Sequence, residues 1–280
     1  MNEIKPIKAL GLLLLFILLT IITQVGGILL LFWLPIGVLI NRKLKNSLQR
    51  KVVKPLSFIG LYVMATFTFI PLLAKPFGRV PMPIGGTTHI QPLTIWTCLL
   101  NRHYVRPTLK QALEMTAEQM NEAFPGTQIA YLDANFPFFN GFPLIPHLSH
   151  HDGKKLDIAF FYKRASTGEP LNGLAPSWLG YGVHEGPLKG EVNMPNECAN
   201  KGYWQYGFME KVIPQYKKAV MPFDAERTRE MISFLVLQPA VSKIFIEPHL
   251  KTRLKLNSQK IRFHGCQAVR HDDHVHVQIR

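Results

Sequence analysis

The chain has 280 residues, 47% of them hydrophobic, and a formal net charge of +14 at neutral pH. This length and composition allow one globular domain and a further apolar segment. Residues 1–80 carry +9 of the charge, because ten Lys and Arg stand there against Glu3 alone. The excess is typical of the flanks of membrane segments. The remaining +5, with no Gly-rich phosphate loop and no aromatic-basic repeat, predicts no nucleic-acid partner.

The first predicted elements are two apolar stretches. Residues 9–40 and residues 56–74 contain no charged side chain, and both are long enough to cross a bilayer. The first stretch far exceeds the apolar run of a cleaved signal peptide, which is about 7 to 15 residues. It is either a single span of about 48 Å or a hairpin of two short spans that turns at "TQVGG", residues 23–27.

Basic residues favour the hairpin. Lys5 and Lys8 precede the first stretch and six Lys and Arg follow it within residues 42–54, so a hairpin keeps both flanks on the cytoplasmic side. The span at 56–74 then leads outward. We predict a transmembrane region over residues 1–75, and we expect the rest of the chain to lie outside the cytoplasm.

A Pro- and Gly-rich connector, residues 76–106, precedes a mixed domain over residues 107–280. The predicted elements of this domain are a helix from a Thr108 cap to Phe124, strands at 128–134 and 156–162, a helix from an Asp224 cap to about Leu237, a strand at 243–247 and a short helix at 248–254. Helices and strands do not alternate as in a βαβ fold. The order predicts an α+β domain with a small, mainly antiparallel sheet and flanking helices.

The histidines of this domain are clustered in the sequence, and some of them could bind a metal ion together with a nearby carboxylate. Seven of the eleven histidines fall in two windows: His147, His150, His151, His264, His271, His274 and His276. If the C-terminus forms a strand, His274 and His276 lie on one face, about 7 Å apart. Asp157 heads an apolar strand, where an unpaired carboxylate is costly, and His150 precedes it. Zinc takes three such nitrogen or oxygen ligands and keeps one position open.

Two interpretations need no metal. The terminal histidines are then titrating residues of a polar edge strand, and His150 and Asp157 are a hydrogen-bonded pair within a loop. The residues alone leave these alternatives open.

Two motifs resemble one family. The segments "HLSHHDGKKLDI" (147–158) and "HDDHVHV" (271–277), with "AVSKIFIEPHLKTRL" (240–254) before the second, are similar to the penicillin-insensitive murein endopeptidases. This group of zinc metallopeptidases also includes D-Ala-D-Ala carboxypeptidases, lysostaphin-type enzymes and the hedgehog domain. The resemblance covers under a quarter of the chain and leaves out the membrane part. It implies that Zn²⁺ is bound by His150, Asp157 and His276.

The same resemblance implies roles for the other histidines. His274 matches the histidine that assists catalysis, and His271 matches a further active-site histidine. His147 matches a residue near the site, and we include His151 with it as a candidate neighbour of the ligands.

Two positions depart from the family pattern. Lys155 stands where an acidic residue is usual, and Asp273 stands where an aromatic residue is common. Lys155 alters the local charge and leaves the three implied ligands untouched.

The resemblance implies a zinc metallopeptidase anchored in the bacterial inner membrane, with its catalytic domain on the periplasmic or outer side. Its implied substrate is murein peptide, and the implied bond joins D-Ala to diaminopimelate. The first alternative is a D-Ala-D-Ala carboxypeptidase, which requires a cationic clamp such as Lys155 or Arg164. The second is a non-catalytic zinc-containing module that binds the cell wall or has a regulatory role. The retention of His271 and His274 argues against this second alternative.

Three cysteines allow one disulfide. Cys198 and Cys266 both fall in the domain expected outside the cytoplasm, where an oxidising compartment permits a bridge. Their spacing does not establish the bridge, and free thiols remain the alternative. Cys98 is expected to be a buried thiol.

Overall fold

The computed structural model describes residues 6–280. Three helices come first: α1 (Pro6–Thr23), α2 (Gly26–Lys43) and α3 (Ser47–Ala74). Each is long and apolar enough to cross a membrane. Helix α1 packs against α2, and α2 packs against α3.

The uncharged stretch at residues 9–40 is thus two helices, and the break between them falls inside "TQVGG". Gln24 takes a left-handed backbone conformation there, with φ of 64°. Helix α3 begins nine residues before the uncharged stretch at 56–74, because the side chain of Asn46 caps it by accepting hydrogen bonds from the first-turn amides. Arg50, Lys51 and Lys54 are therefore part of α3.

The turn after α1 and the C-terminal part of α3 both contact the domain. Gln24 Oε1 accepts a hydrogen bond of 2.8 Å from the Phe138 amide. Val25, Ile70 and Ala74 pack with Tyr104 in one small apolar cluster. The basic residues between α2 and α3 therefore lie at the end of the helices that points away from the domain.

The rest of the chain forms six further helices and ten strands among the described residues. They are β1 (Val80–Pro81), β2 (Ile90–Pro92), α4 (Ile95–Leu99), β3 (Tyr104–Val105), α5 (Pro107–Ala123), β4 (Ile129–Tyr131), β5 (Lys155–Ala159), β6 (Tyr162–Lys163), β7 (Pro170–Leu171), α6 (Met194–Asn200), α7 (Phe208–Val212), α8 (Ala225–Leu237), β8 (Val241–Phe245), α9 (Pro248–Arg253), β9 (Ile261–Arg262) and β10 (His274–Ile279). Short 3₁₀ turns lie at Lys75–Phe77, Trp204–Gly207 and Tyr216–Ala219.

The main sheet has six strands in the order β2-β4-β5-β10-β8-β9, so the expectation of a small sheet is wrong. Its central pairs are antiparallel, whereas the edge strands β2 and β9 pair in parallel with their neighbours. Each edge strand has only two or three residues, too few for a period-2 pattern to appear in the sequence. Strand β2 also comes from the segment predicted as a connector.

Helices α5 and α8 pack together and cover one face of this sheet. Helix α5 begins at Pro107, whose missing N–H suits a first helical position, and Thr108 is therefore inside the helix and not its cap. Asp224 does cap α8, because its carboxylate accepts a hydrogen bond from the Arg227 amide. Buried apolar side chains of both helices meet the inward-facing residues of the sheet.

The alternation of β10 decides which side chains reach the core. Val275 and Val277 are fully buried in the main apolar cluster. Since successive residues of a strand point to opposite faces, His274 and His276 lie on the other face of the sheet. That face carries the candidate site.

Cys198 and Cys266 form a disulfide that ties α6 to the segment before β10. Cys98 is a buried free thiol, as expected.

Candidate metal centre

Strands β5 and β10 place two candidate ligands side by side. They are antiparallel neighbours, and their register sets Asp157 directly opposite His276. The core side chains Leu156 and Ile158 alternate with Asp157 along β5, so the carboxylate lies on the face opposite the core.

His150 arrives from the loop before β5. The chain turns at Gly153, whose φ of 81° is readily adopted only without a side chain, and its amide donates to Asn135 Oδ1. The Nδ1 atom of His150 lies 2.6 Å from the Ala134 carbonyl oxygen. Because a carbonyl only accepts, Nδ1 carries the proton and Nε2 is directed at Asp157.

Three donor atoms converge at this point. Asp157 Oδ1 lies 2.9 Å from His276 Nδ1 and 3.3 Å from His150 Nε2, and the two histidine nitrogens are 3.2 Å apart. All three residues are buried. The structure thus brings together the set that the resemblance implied as ligands.

This donor set fits a zinc ion. The donor atoms of a tetrahedral zinc site lie about 3.3 Å apart, and two imidazoles with one carboxylate are ligands that zinc takes in catalytic sites. The three edges of the triangle here range from 2.9 to 3.3 Å. A buried carboxylate between two imidazoles is also stabilised by a cation.

His147 is a second histidine within reach of the same carboxylate. His147, His150 and Asp157 each offer a ligand atom within 4.8 Å of the others, so this buried group too could hold a metal ion. His147 Nδ1 faces Asp157 Oδ2 at 3.3 Å and also Asp133 Oδ2 at 3.4 Å. Both His147 and His276 are therefore candidates for a third ligand, and His276 makes the shorter approach and faces the same oxygen of Asp157 as His150.

His274 is oriented by a carboxylate. Its Nδ1 is hydrogen-bonded to Asp273 Oδ1, and Asp273 Oδ2 accepts from the Gly182 amide. The buried Nε2 atom has no hydrogen-bond partner among the described residues and lies 3.8 Å from Asp157 Oδ1. Asp273, the departure from the family pattern, therefore aims the free nitrogen of His274 at the site.

The two strand histidines differ in charge. Burial lowers the pKa of His276 to about 4. Burial acts in the same direction on His274, but the carboxylates of Asp273 and Asp157 outweigh it and raise its pKa to about 9. These opposite shifts favour a neutral imidazole at His276 and a protonated one at His274 at neutral pH.

Asp157 stays ionised. Burial alone raises the pKa of this carboxyl, but His150 and His274 outweigh that effect and hold the pKa well below its usual range. Burial lowers the pKa of His271 well below its usual range, so this imidazole is neutral.

The remaining histidines of the two windows lie at different distances from the site. A cavity of about 240 Å³ is lined by His147, His150, His264, His271, His274 and His276 together with Asp157. The rings of His271 and His274 are tilted by 48° to each other, with centroids 4.9 Å apart. His151 does not line this cavity, and within residues 6–280 its hydrogen bonds are made by its backbone.

Tyr181 is a functional candidate that the sequence analysis missed. Its hydroxyl donates to Asp157 Oδ2 at 2.9 Å and accepts from the Asp133 amide. It thereby fixes the oxygen of Asp157 that does not face His276. In the sequence this region is a loop without periodicity, and the only local signal for a special position was the pair of glycines, Gly180 and Gly182, that flank Tyr181. Both glycines have positive φ in the structure.

The sequence analysis also missed a buried network of hydrogen bonds and ion pairs around Asp272. Arg270 binds both carboxylate oxygens of Asp272, and His184 Nδ1 lies 2.9 Å from Asp272 Oδ1. Asp272 is fully buried. These contacts hold the segment that leads into β10.

The two residues named as carboxylate clamps have other partners. Lys155 Nζ lies 2.6 Å from Asp152 Oδ2, and Arg164 is exposed and lies near Glu169. Neither lines a cavity at the site.

The comparisons of this chain with family models and with curated proteins identify no family for it. No protein-family model matches this chain, and no curated protein matches it.

Proposed function

We propose that this chain is a membrane-anchored zinc peptidase that hydrolyses peptide cross-links of murein. The observation that carries the proposal is the triangle of His150, Asp157 and His276 donor atoms beside the free Nε2 of His274. The murein substrate rests on the resemblance of the two histidine motifs to murein endopeptidases.

In the proposed reaction, different residues of the chain have different roles. Hydrolysis adds a water oxygen to the amide carbonyl carbon, breaks the C–N bond and transfers a proton to the leaving amine. Zinc, when bound, polarises the carbonyl and lowers the pKa of water. The protonated His274 donates a hydrogen bond to the carbonyl oxygen that gains negative charge, or gives its proton to the leaving amine and regains one from the attacking water.

Supporting residues keep this arrangement in place. Tyr181 and the Ala134 carbonyl orient Asp157 and His150, and Asp273 orients His274. Contacts of this kind set ligand direction and basicity in metal sites.

The placement of the helices supports an extracytoplasmic site. The turn at Gln24 and the end of α3 contact the domain, whereas the basic residues at 42–54 lie at the far end of the helices. By the positive-inside rule, the basic end is cytoplasmic. The domain then lies on the side of the membrane where murein is found.

The test is cleavage of purified muropeptide dimers by the full-length chain in detergent, with products weighed by mass spectrometry. We expect monomers whose summed mass exceeds that of the dimer by one water. Treatment with a chelator stops the reaction, and added Zn²⁺ restores it. Release of a terminal D-Ala alone contradicts the endopeptidase proposal, and zinc binding without any product favours a binding module.

A further inference from the structure

A second, larger cavity adjoins the metal centre. It measures about 530 Å³, within the range of small-molecule sites, about 300 to 1,000 Å³. His147, Tyr181 and His274 are among the residues that line it. The rest of the lining combines apolar side chains with polar and charged ones, including Arg102, Asp133, His184, Arg270 and Asp273. Its apolar lining includes Trp96, Leu100, Leu179, Trp204, Phe208, Met209 and Val269.

The apolar lining is unusually exposed. Trp96 is 54% exposed, Trp204 73% and Phe208 47%. Side chains of this size are seldom left together in water, and a contiguous exposed apolar patch marks a binding surface. A murein peptide by itself offers few apolar groups to cover them.

Helix α4, at one wall of the cavity, contacts the candidate membrane span α3. Helix α4, which carries Trp96, is held to α3 because the Tyr62 hydroxyl donates to the Leu99 carbonyl at 2.6 Å. The side-chain amide of Asn101, just after α4, donates a hydrogen bond of 2.9 Å to the same hydroxyl. One wall of the cavity is thus fixed to a candidate membrane span.

The C-terminal end of α3, next to the domain, presents apolar side chains on its outer side. Ile70 and Ala74 of α3 are buried against the domain, yet Phe69, Leu72 and Leu73 on the same turns are 55 to 59% exposed. Lipid covers such a face at low cost, whereas water does not. Exposed tryptophans at the cavity mouth suit the boundary between lipid and water.

We propose that this cavity binds the hydrocarbon chain of a lipid-linked substrate, which enters from the outer leaflet and presents its peptide to the metal centre. The inference rests on the proposed peptidase function for the identity of the peptide, and on the attachment of α4 to α3 for the lipid. Trp96 of α4 and His274 line the same cavity.

The first experiment detects the lipid without any catalysis. The full-length chain is reconstituted in vesicles of phosphatidylethanolamine and phosphatidylglycerol that contain a phospholipid with a diazirine at the end of one acyl chain. After illumination, labelled peptides are mapped by mass spectrometry. We expect label on the cavity lining, at Trp96, Leu100 or Phe208, besides the label along the helices.

The second experiment compares two substrates. A muropeptide dimer and the same dimer with a palmitoyl chain on its free amino group are given to the chain in these vesicles. We expect kcat/KM at least about tenfold higher for the palmitoylated dimer, and Trp96→Gln should lower that preference about tenfold. Trp178→Gln is the matched control, because Trp178 is 63% exposed and does not line the cavity.

The outcomes separate the two proposals. Equal cleavage of both dimers, or label confined to the helices, overturns the lipid inference and leaves the peptidase intact. Label in the cavity with cleavage of neither dimer overturns the peptidase proposal, while the cavity remains a lipid-chain site. An equal effect of Trp96→Gln and Trp178→Gln also contradicts the inference, because the loss of preference is then not specific to the cavity.

Discussion

His274 and His276 stand two positions apart on one strand face and have different surroundings. His276 faces Asp157 and His150, while His274 is held by Asp273 on its other nitrogen. The carboxylates of Asp273 and Asp157 outweigh burial and raise the pKa of His274, whereas burial lowers the pKa of His276. The two imidazoles are therefore suited to different tasks, one to ligation and one to proton donation.

Single substitutions should separate these tasks. His276→Ala should lower zinc content and also thermal stability, because a metal that binds only the folded state stabilises it. His274→Ala should keep zinc and lower turnover by about 10² to 10⁴, the usual contribution of a positioned acid or base. Metal analysis and cleavage assays measure both effects.

His151→Ala is the control, since His151 does not line the site cavity. Loss of zinc from the His274 variant with retention in the His276 variant means that the assignment is inverted. If both variants keep zinc and activity, the terminal motif is only a histidine-rich strand.

At the scale of elements, Glu247 joins three segments. It stands between β8 and α9, its carboxylate accepts from the Tyr206 hydroxyl at 2.5 Å, and it also accepts from the His271 amide at 3.2 Å. It is 1% exposed. Burial and the nearby Asp272 raise its pKa to about 7.

This buried carboxyl should make stability depend on pH. The folded state holds the proton more tightly than the unfolded state, whose pKa is near 4.5. The stabilisation is therefore complete below that value and is lost as pH rises through about 7. The loss is on the order of 3 kcal/mol, at about 1.4 kcal/mol per pKa unit.

Glu247→Gln tests this, because the amide stays neutral and keeps an oxygen for both donors. Thermal unfolding of the variant and the wild type is compared between pH 5 and 8, and the variant should gain relative stability as pH rises. Glu118→Gln, an exposed position on α5, serves as control and should change nothing with pH. A difference between Glu247→Gln and wild type that is flat over this range contradicts the prediction.

For the whole molecule, the main feature is the close attachment of the domain to its helices. Contacts at Gln24, Tyr62 and Ile70 join the two parts, and they are spread along the helices and not confined to a linker. The helices therefore set the height and orientation of the site above the bilayer, which a flexible tether does not do. This placement is the basis of the proposed access from the outer leaflet.

Reporter fusions test the orientation. Alkaline phosphatase, which needs an oxidising compartment, should be active when fused after residue 80 and inactive when fused within residues 42–54, because the basic residues stay in the cytoplasm. A β-galactosidase series should give the opposite result. The reverse pattern in both series places the domain in the cytoplasm and removes murein as substrate.

The sequence by itself determined the features that depend on local periodicity. The uncharged stretches predicted the apolar helices, the alternation of Val275 and Val277 placed two histidines on one strand face, and Asp224 capped its helix as predicted. These signals are local because hydrophobic period and capping are read from neighbours in the chain. The resemblance of the two histidine motifs to murein endopeptidases also named His150, Asp157 and His276, which the fold brings together.

Only the tertiary structure decided the surroundings of those residues. Tyr181 reaches Asp157 from a loop 24 positions away, and the cavity beside them combines α4 with the 3₁₀ turn at Trp204–Gly207. The short edge strands β2 and β9 enlarge the sheet through pairing with distant segments. Such features depend on contacts between residues far apart in the chain, and no local pattern encodes them, because each segment is stabilised only once its partner is in place.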